Sequence, residues 1–488
     1  WLNSAQTTIH SDTRTGEILN ASILINANMI SVQYADRIGA TVAIDPRVRT
    51  TVFPQEIQGE LIQAAIAQAV GTGLGLTMNW GASCAYPVDS LRSASFTQKY
   101  GLASSVMGGV IINDVATEED VRNGVCLVNA KPGPYDELVI KYLYQPIYAS
   151  SLQEEKETLD SWIREHTGDP YYAYIRNQSR FDSDPRNSRG SLGDDHLKSF
   201  DYMLPNVRKG FENYYSWFAK EDRDFLMRRR VHSALSERLS GRIYAILSYI
   251  GGIYLNDIRE KDAIPSYSMV DREKQKAALS KALELAKNLD WVDDTAHLNE
   301  FEISDKKADR LRLDIFNGIF GRLPYVEVCT ERFPDAAYTA SEYLDDIYGI
   351  VWEGVLKHRP LENFERALQT AFLESIISTS TATAPIGSFK ASKTGFAATG
   401  KPEINLAALR NGGKVDMKMY SLQNAEEVAG FSSIPPIYTN QTKIAAYYFD
   451  LLMRTKDMLK KAISTAPETD RSHYDLLIYR INKATEIE

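Results

Sequence analysis

Between residues 55 and 74 apolar side chains recur at three- and four-residue steps, with Ile57, Leu61, Ala64, Ala65 and Ile66 falling on one stripe. That period predicts an amphipathic helix. Gly71, Gly73 and Gly75 crowd its end, where glycine stops a helix and lets backbones approach closely. Upstream, residues 16–26 are rich in Ile and Leu, follow the turn-like Asp12-Thr13-Arg14-Thr15, and predict a strand. A less regular stretch with a turn at Asp45-Pro46-Arg47 separates the two. Residues 79–112 read as loop. Thr117-Glu118-Glu119-Asp120 has the acidic first turn of a short helix, and a helix over 135–144 follows Pro132-Gly133-Pro134.

Near Gln145 the pattern changes to long amphipathic periods. Helices are expected over 152–166, 194–219, 222–256, 271–288, 342–356 and 362–378, with a C-terminal pair over 439–464 and 468–484. Residues 176–193 and 379–400 are polar or small and turn-rich, and read as loops. The fold class is therefore α+β, with a mixed N-terminal region, 1–150, followed by a predominantly helical region. The expected division is 1–150, 151–330 and 331–488.

The formal net charge of −9 argues against a general nucleic-acid binder. No apolar run approaches the roughly 18 residues needed to span a bilayer. The three cysteines, Cys84, Cys126 and Cys329, are far apart and indicate neither a disulfide framework nor a zinc knuckle. The chain opens on Trp1 without an initiator Met, and the expectation is that upstream sequence has been removed or left out.

The segment Gln68-Ala69-Val70-Gly71-Thr72-Gly73-Leu74-Gly75-Leu76-Thr77-Met78-Asn79 carries the most chemical information. The metzincin zinc-protease pattern is H-E-x-x-H-x-x-G-x-x-H. With Gly75 as its glycine, the pattern places Gln68, Ala69, Thr72 and Met78 where His, Glu, His and His belong. Several ordered blocks carry the same likeness. They are Thr15-Gly16-Glu17-Ile18-Leu19-Asn20-Ala21, Asp45-Pro46-Arg47-Val48-Arg49-Thr50, Ala85-Tyr86-Pro87-Val88-Asp89-Ser90-Leu91-Arg92, Phe96-Thr97-Gln98-Lys99-Tyr100-Gly101, Leu192-Gly193-Asp194-Asp195 and Ile250-Gly251-Gly252-Ile253-Tyr254. The chain resembles a family of large, exported, zinc-dependent metalloproteases of Gram-negative bacteria. The resemblance implies a metzincin-like protease domain lacking its first strands, a Met-turn at Ser105-Val106-Met107 with Met107 as its methionine, and a periplasmic or outer-membrane setting.

A catalytic zinc takes three protein ligands and keeps one position for water, with the Glu beside the first His as general base. Here Gln68 offers a neutral amide, Thr72 a hydroxyl that hardly ionises, and Met78 a soft thioether poorly suited to hydrolytic zinc. Ala69 cannot move a proton. The seven histidines, His10, His166, His196, His232, His297, His358 and His473, are scattered singly, with no HxxxH pair. The expectation is an inactive metalloprotease homologue with no metal and no cofactor, acting as a binding or scaffolding component of an envelope-associated assembly. The alternatives are an active peptidase with an unrecognised metal site and a stand-alone peptide or glycan receptor.

By the same resemblance the predicted strand borders the old substrate groove. Its edge, from Gly16 at the head to Ile25 at the end, could pair with an extended peptide through main-chain hydrogen bonds. The competing expectation is that the chain's own loops cover it. A metzincin-like sheet has further strands before this one, so a larger parent polypeptide or a protein partner is expected to supply them. Among other features, Asp182, Asp184, Asn187, Asp194 and Asp195 offer calcium-style oxygens without EF-hand spacing; Asp194 and Asp195 also suit a helix cap. Arg228-Arg229-Arg230 reads as a solvated face with ion pairs to Asp222 and Asp224. The aromatics Tyr171, Tyr172 and Tyr174 read as packing, with a ligand platform as the alternative. Gly71-Thr72-Gly73-Leu74-Gly75 ends a helix, whereas phosphate cradles open one, so it is no nucleotide loop.

Overall fold

A turn closed by Asp12 folds the start of the chain into a hairpin. In the computed structural model, which describes residues 5–26, 29–175, 183–187, 191–256, 258, 262, 264–293, 296–297, 307–379 and 441–485, strand β1 (Gln6–Ser11) pairs antiparallel with β2 (Ile18–Leu24). The Asp12 amide donates to Glu17 at 2.9 Å and its carboxylate pairs with Arg14 at 2.8 Å. The expected strand is thus one arm of a hairpin. The other arm carries the β-branched Thr7, Thr8 and Ile9, but Ile9 is its one large apolar residue, so its strand signal is weak. Among the described residues, no third strand joins this sheet.

The stretch expected to be irregular contains a helix, α1 (Met29–Thr41). It lacks an acid in its first turn and carries β-branched residues, so its intrinsic helix signal is poor. Tertiary packing against a later helix, and a buried ion pair between Arg37 and Asp45 at 2.8 Å, hold it instead. Helix α2 (Gln55–Gly73) follows as the periodicity predicts, burying Ile57, Leu61, Ala64 and Ala65.

From Leu74 the backbone runs through short turns, α3 (Ala94–Tyr100) and α4 (Glu118–Arg122), to α5 (Pro134–Tyr144) and α6 (Leu152–Arg164). Side chains satisfy backbone groups that a regular element would have paired. Asn113 Nδ2 donates to the Leu91 carbonyl at 2.7 Å, and Asn129 Oδ1 accepts from the Leu102 amide at 2.8 Å. The predicted acidic start of α4 is a capping box between Thr117 and Asp120.

The remaining described helices are α7 (His196–Phe218), α8 (Leu226–Leu247), α9 (Arg272–Lys287), α10 (Lys307–Arg332), α11 (Ala340–Val351), α12 (Glu353–Leu356), α13 (Asn363–Thr379) and the C-terminal pair Gln441–Ala462 and Glu468–Thr485. A short ribbon, β3 (Ile253–Leu255) with β4 (Tyr267–Met269), lies between α8 and α9. One cluster of buried apolar side chains runs from Ile38 through these helices to Ile481. Helix α10 was hidden in the sequence by Gly318, Gly321 and Pro324. Burial of Leu311, Ile315, Phe316, Ile319, Phe320 and Leu323 overrides those breakers. The irregular segment is fastened to α8 by Asp114, which is buried and accepts from Arg238 Nε at 2.6 Å and Arg242 Nε at 2.9 Å. No described helix is long and apolar enough to cross a membrane. Asp182 and most of the loop expected over 379–400 lie outside the described residues.

Candidate functional site

The last turns of α2 bring three of the four substituted positions together. At Gly75, whose φ of 92° suits only a residue without Cβ, the chain reverses. The amides of Gly75 and Leu76 bond to the Thr72 and Gly71 carbonyls at 2.9 and 3.0 Å. The reversal carries Met78 back beside the helix, where Gln68 Nε2 donates to its sulfur at 3.0 Å. Thr72 Oγ1 turns back to the Gln68 carbonyl at 3.2 Å. Ala69 is buried, and its carbonyl accepts from Thr7 Oγ1 of β1 at 2.8 Å, which pins the hairpin to α2.

The floor of the site is the turn at Ser105-Val106-Met107. Met107 is fully buried beneath Gly71, where a Cβ would stand 2.6 Å from its sulfur, so only glycine allows this approach. Ser105 Oγ accepts from the Met107 amide at 2.9 Å and donates to Asp136 Oδ1 at 2.5 Å. Asp136 Oδ2 accepts from the amides of Val106 and Gly133, both at 2.9 Å. Burial pushes the Asp136 carboxyl above its ordinary value, while these three donors pull it back. Asn79 completes the floor: its amide donates to Met107 O at 3.0 Å, its Nδ2 to Ala173 O at 2.9 Å, and its Oδ1 accepts from the Ile175 amide at 3.2 Å. Sequence reasoning missed Asp136. The available signal was an acid two residues into a helix opened by Gly133-Pro134, the position that reaches back to a cap.

The donor set above this floor does not fit a catalytic zinc. Gln68 spends its amide nitrogen on the Met78 sulfur at 3.0 Å, and a neutral amide, an alcohol and a thioether are poor ligands for a hydrolytic zinc. Neither Gln68 nor Met78 is ionisable, nor is Thr72 at ordinary pH. Among the described residues, no group of three His, Cys, Asp or Glu side chains is placed to hold a metal. Cys84, the thiol nearest in sequence, is buried and donates to Ser191 Oγ at 3.2 Å, and burial pushes it further from the thiolate.

Beside the site, β2 is open to solvent. Leu19 is 66% and Leu24 59% exposed. β1 takes one edge of β2, and no described strand takes the other. Ile18 and Leu143 flank Gly75, and the Tyr144 hydroxyl donates to the Leu74 carbonyl at 2.8 Å, so the end of α5 lies against the same turn.

The other sequence candidates resolve into local structure. Asp195 caps α7, accepting from the amides of Leu197 and Lys198 at 2.9 and 3.2 Å. Asp194 accepts from the Val88 amide at 3.1 Å, and Asp184 pairs with Arg186 at 2.7 Å. Asn187 is buried on the turn that Asp184 begins. Tyr171 packs edge-on against Tyr86, Tyr172 stacks on His166, and Tyr174 stacks on Tyr135. The three arginines divide: Arg228 is buried and pairs with Asp222 at 3.1 Å, whereas Arg229 and Arg230 are exposed. Asp224 accepts from the Leu226 amide at 3.3 Å.

A helix ended by a glycine turn above a buried methionine turn is the framework of the metzincin class. A family model described as Met-zincin matches residues 50–359, well over half of the chain, and the chain belongs to that family. No curated protein and no solved structure matches it.

Proposed function

We propose that this Met-zincin homologue is catalytically inactive and acts by binding, holding an extended segment of a protein partner along the open edge of β2. The carrying observation is the direct Gln68–Met78 hydrogen bond at 3.0 Å above an intact Met107 floor. Neutral donors bond to one another where a hydrolytic centre needs anionic or imidazole ligands and a base. The open β2 edge supports the binding role, since an extended peptide needs only main-chain partners and shallow apolar contacts there. The likeness to exported metalloproteases supports a scaffolding place in an envelope-associated assembly.

The test combines zinc analysis and peptidase assays of the purified chain with binding to an array of unstructured peptides. The expected result is substoichiometric zinc, no cleavage, and enrichment of β-prone peptides. Proline at Ala21 and, separately, at Ser22 probes the edge. Consecutive strand amides point to opposite edges, so one of the two removes an outward donor. That variant should lose peptide binding and keep its fold. Stoichiometric zinc with cleavage would overturn the inactive reading in favour of a peptidase with another metal arrangement. An array without enrichment would overturn the peptide-binding reading.

A further inference from the structure

The exposed pair Arg229 and Arg230 borders a cavity of about 680 Å³ formed by α1, the start of α8 and the loop at Thr51, Val52 and Phe53. That volume lies within the roughly 300–1,000 Å³ typical of small-molecule sites. Its wall is apolar: Tyr34 and Phe53 stack with centroids 4.0 Å apart, and Ile38, Met227 and Ala234 line it beside them. At the mouth Val52 is 71% exposed. A greasy trough thus opens to solvent beside two cations.

Both cations are exposed and stand near the start of a helix. They lie in the first two turns of α8, where the helix N-terminus is itself positive and no acid occupies the first turn. Asp222 answers Arg228, also accepting from the Met227 amide at 3.1 Å and the Arg228 amide at 2.9 Å. Among the described residues, neither Arg229 nor Arg230 has an ion-pair partner. The Glu221 carboxylate on this side is engaged by the Thr51 amide at 3.1 Å and Thr50 Oγ1 at 3.2 Å. Glu237 also lines the cavity, seven residues beyond Arg230 and so roughly 10 Å farther along the helix axis. The basic end and the acidic end are therefore separate.

We propose that this cavity binds a small carboxylate with an apolar tail, the carboxylate held by Arg229 and Arg230 and the tail laid over Tyr34 and Phe53. A guanidinium pair suits a planar carboxylate, and the apolar wall selects for the tail. The site is separate from the β2 edge and does not depend on peptide binding there.

Titration calorimetry of the full chain with decanoate, decanol, acetate and inorganic phosphate tests this. Decanoate should saturate one site, with decanol, acetate and phosphate each binding at least about tenfold more weakly. The double variant R229Q/R230Q should weaken decanoate at least about tenfold at an unchanged melting temperature, because both side chains are exposed. Ser233→Phe, which fills the cavity and leaves its charge alone, should also abolish binding. Decanol binding as tightly as decanoate, phosphate binding as tightly, or decanoate affinity unchanged in either variant would each overturn the proposal.

Discussion

Below the last turns of α2, Asp136 accepts from Ser105, Val106 and Gly133 while Met107 fills the space under Gly71. Above the same turns, Gln68 and Met78 hold each other through one amide–thioether hydrogen bond. The floor is buried and uses a carboxylate, whose hydrogen bonds are the strong ones. The upper face is half-buried and neutral, and sulfur is a weak acceptor. Gln68 and Thr72 are only half-buried on the helix face, so exchanging those side chains leaves the framework standing. The floor sets the path of the chain, and a change there reaches the backbone of two loops and a helix.

The largest expected effect tests the floor. Asp136→Ala leaves one hydroxyl and two buried amides without their acceptor, each such loss costing about 1–3 kcal/mol. Relief of the buried carboxylate's desolvation offsets part of this, so the net expectation is about 4 kcal/mol of lost stability by urea unfolding. A loss below about 1 kcal/mol would mean that the floor does not carry the framework, and the contrast between the two faces would dissolve.

A smaller effect of opposite sign tests the upper face. If the framework still has metzincin geometry, the triple variant Q68H/T72H/M78H restores two His one helical turn apart and a third after the Gly75 reversal. It should bind one zinc, read with cobalt by its absorption spectrum. Zinc at a hundredfold excess over its dissociation constant would add about 2.7 kcal/mol of stability. A triple variant with no zinc affinity would show that the upper face has lost its shape along with its ligands.

How much of this was legible depended on how local the signals were. The end of α2 was readable because Gly71, Gly73 and Gly75 act on the backbone at their own positions, and that punctuation aligns Gln68, Ala69, Thr72 and Met78 with the metzincin pattern. β1, α1 and α10 were not readable, for a shared reason. A lack of large apolar residues hides β1, while β-branched residues in α1 and Gly318, Gly321 and Pro324 in α10 speak against the elements that form. Packing partners outside each segment decide them: β2 and then α2 for β1, α8 for α1, α13 for α10. The pairing of Gln68 with Met78 was equally hidden, since ligand spacing says which residues share a face and nothing about whether they bond to one another.

The smallest effect concerns the joint between the two faces and the hairpin. Thr7 Oγ1 donates to the Ala69 carbonyl at 2.8 Å, a half-buried hydrogen bond between β1 and α2. Thr7→Val keeps the shape and the β-propensity and removes the donor, at a cost of about 1 kcal/mol. A two-stranded hairpin is marginal alone, so the cost should fall on its docking. Amide exchange in Gln6–Ser11 and Ile18–Leu24 should quicken about fivefold, while exchange in Gln55–Gly73 stays unchanged. Quickening spread evenly over α2 would place Thr7 in the framework itself. The hairpin would then belong with the floor, and the contrast between the two faces would have to include it.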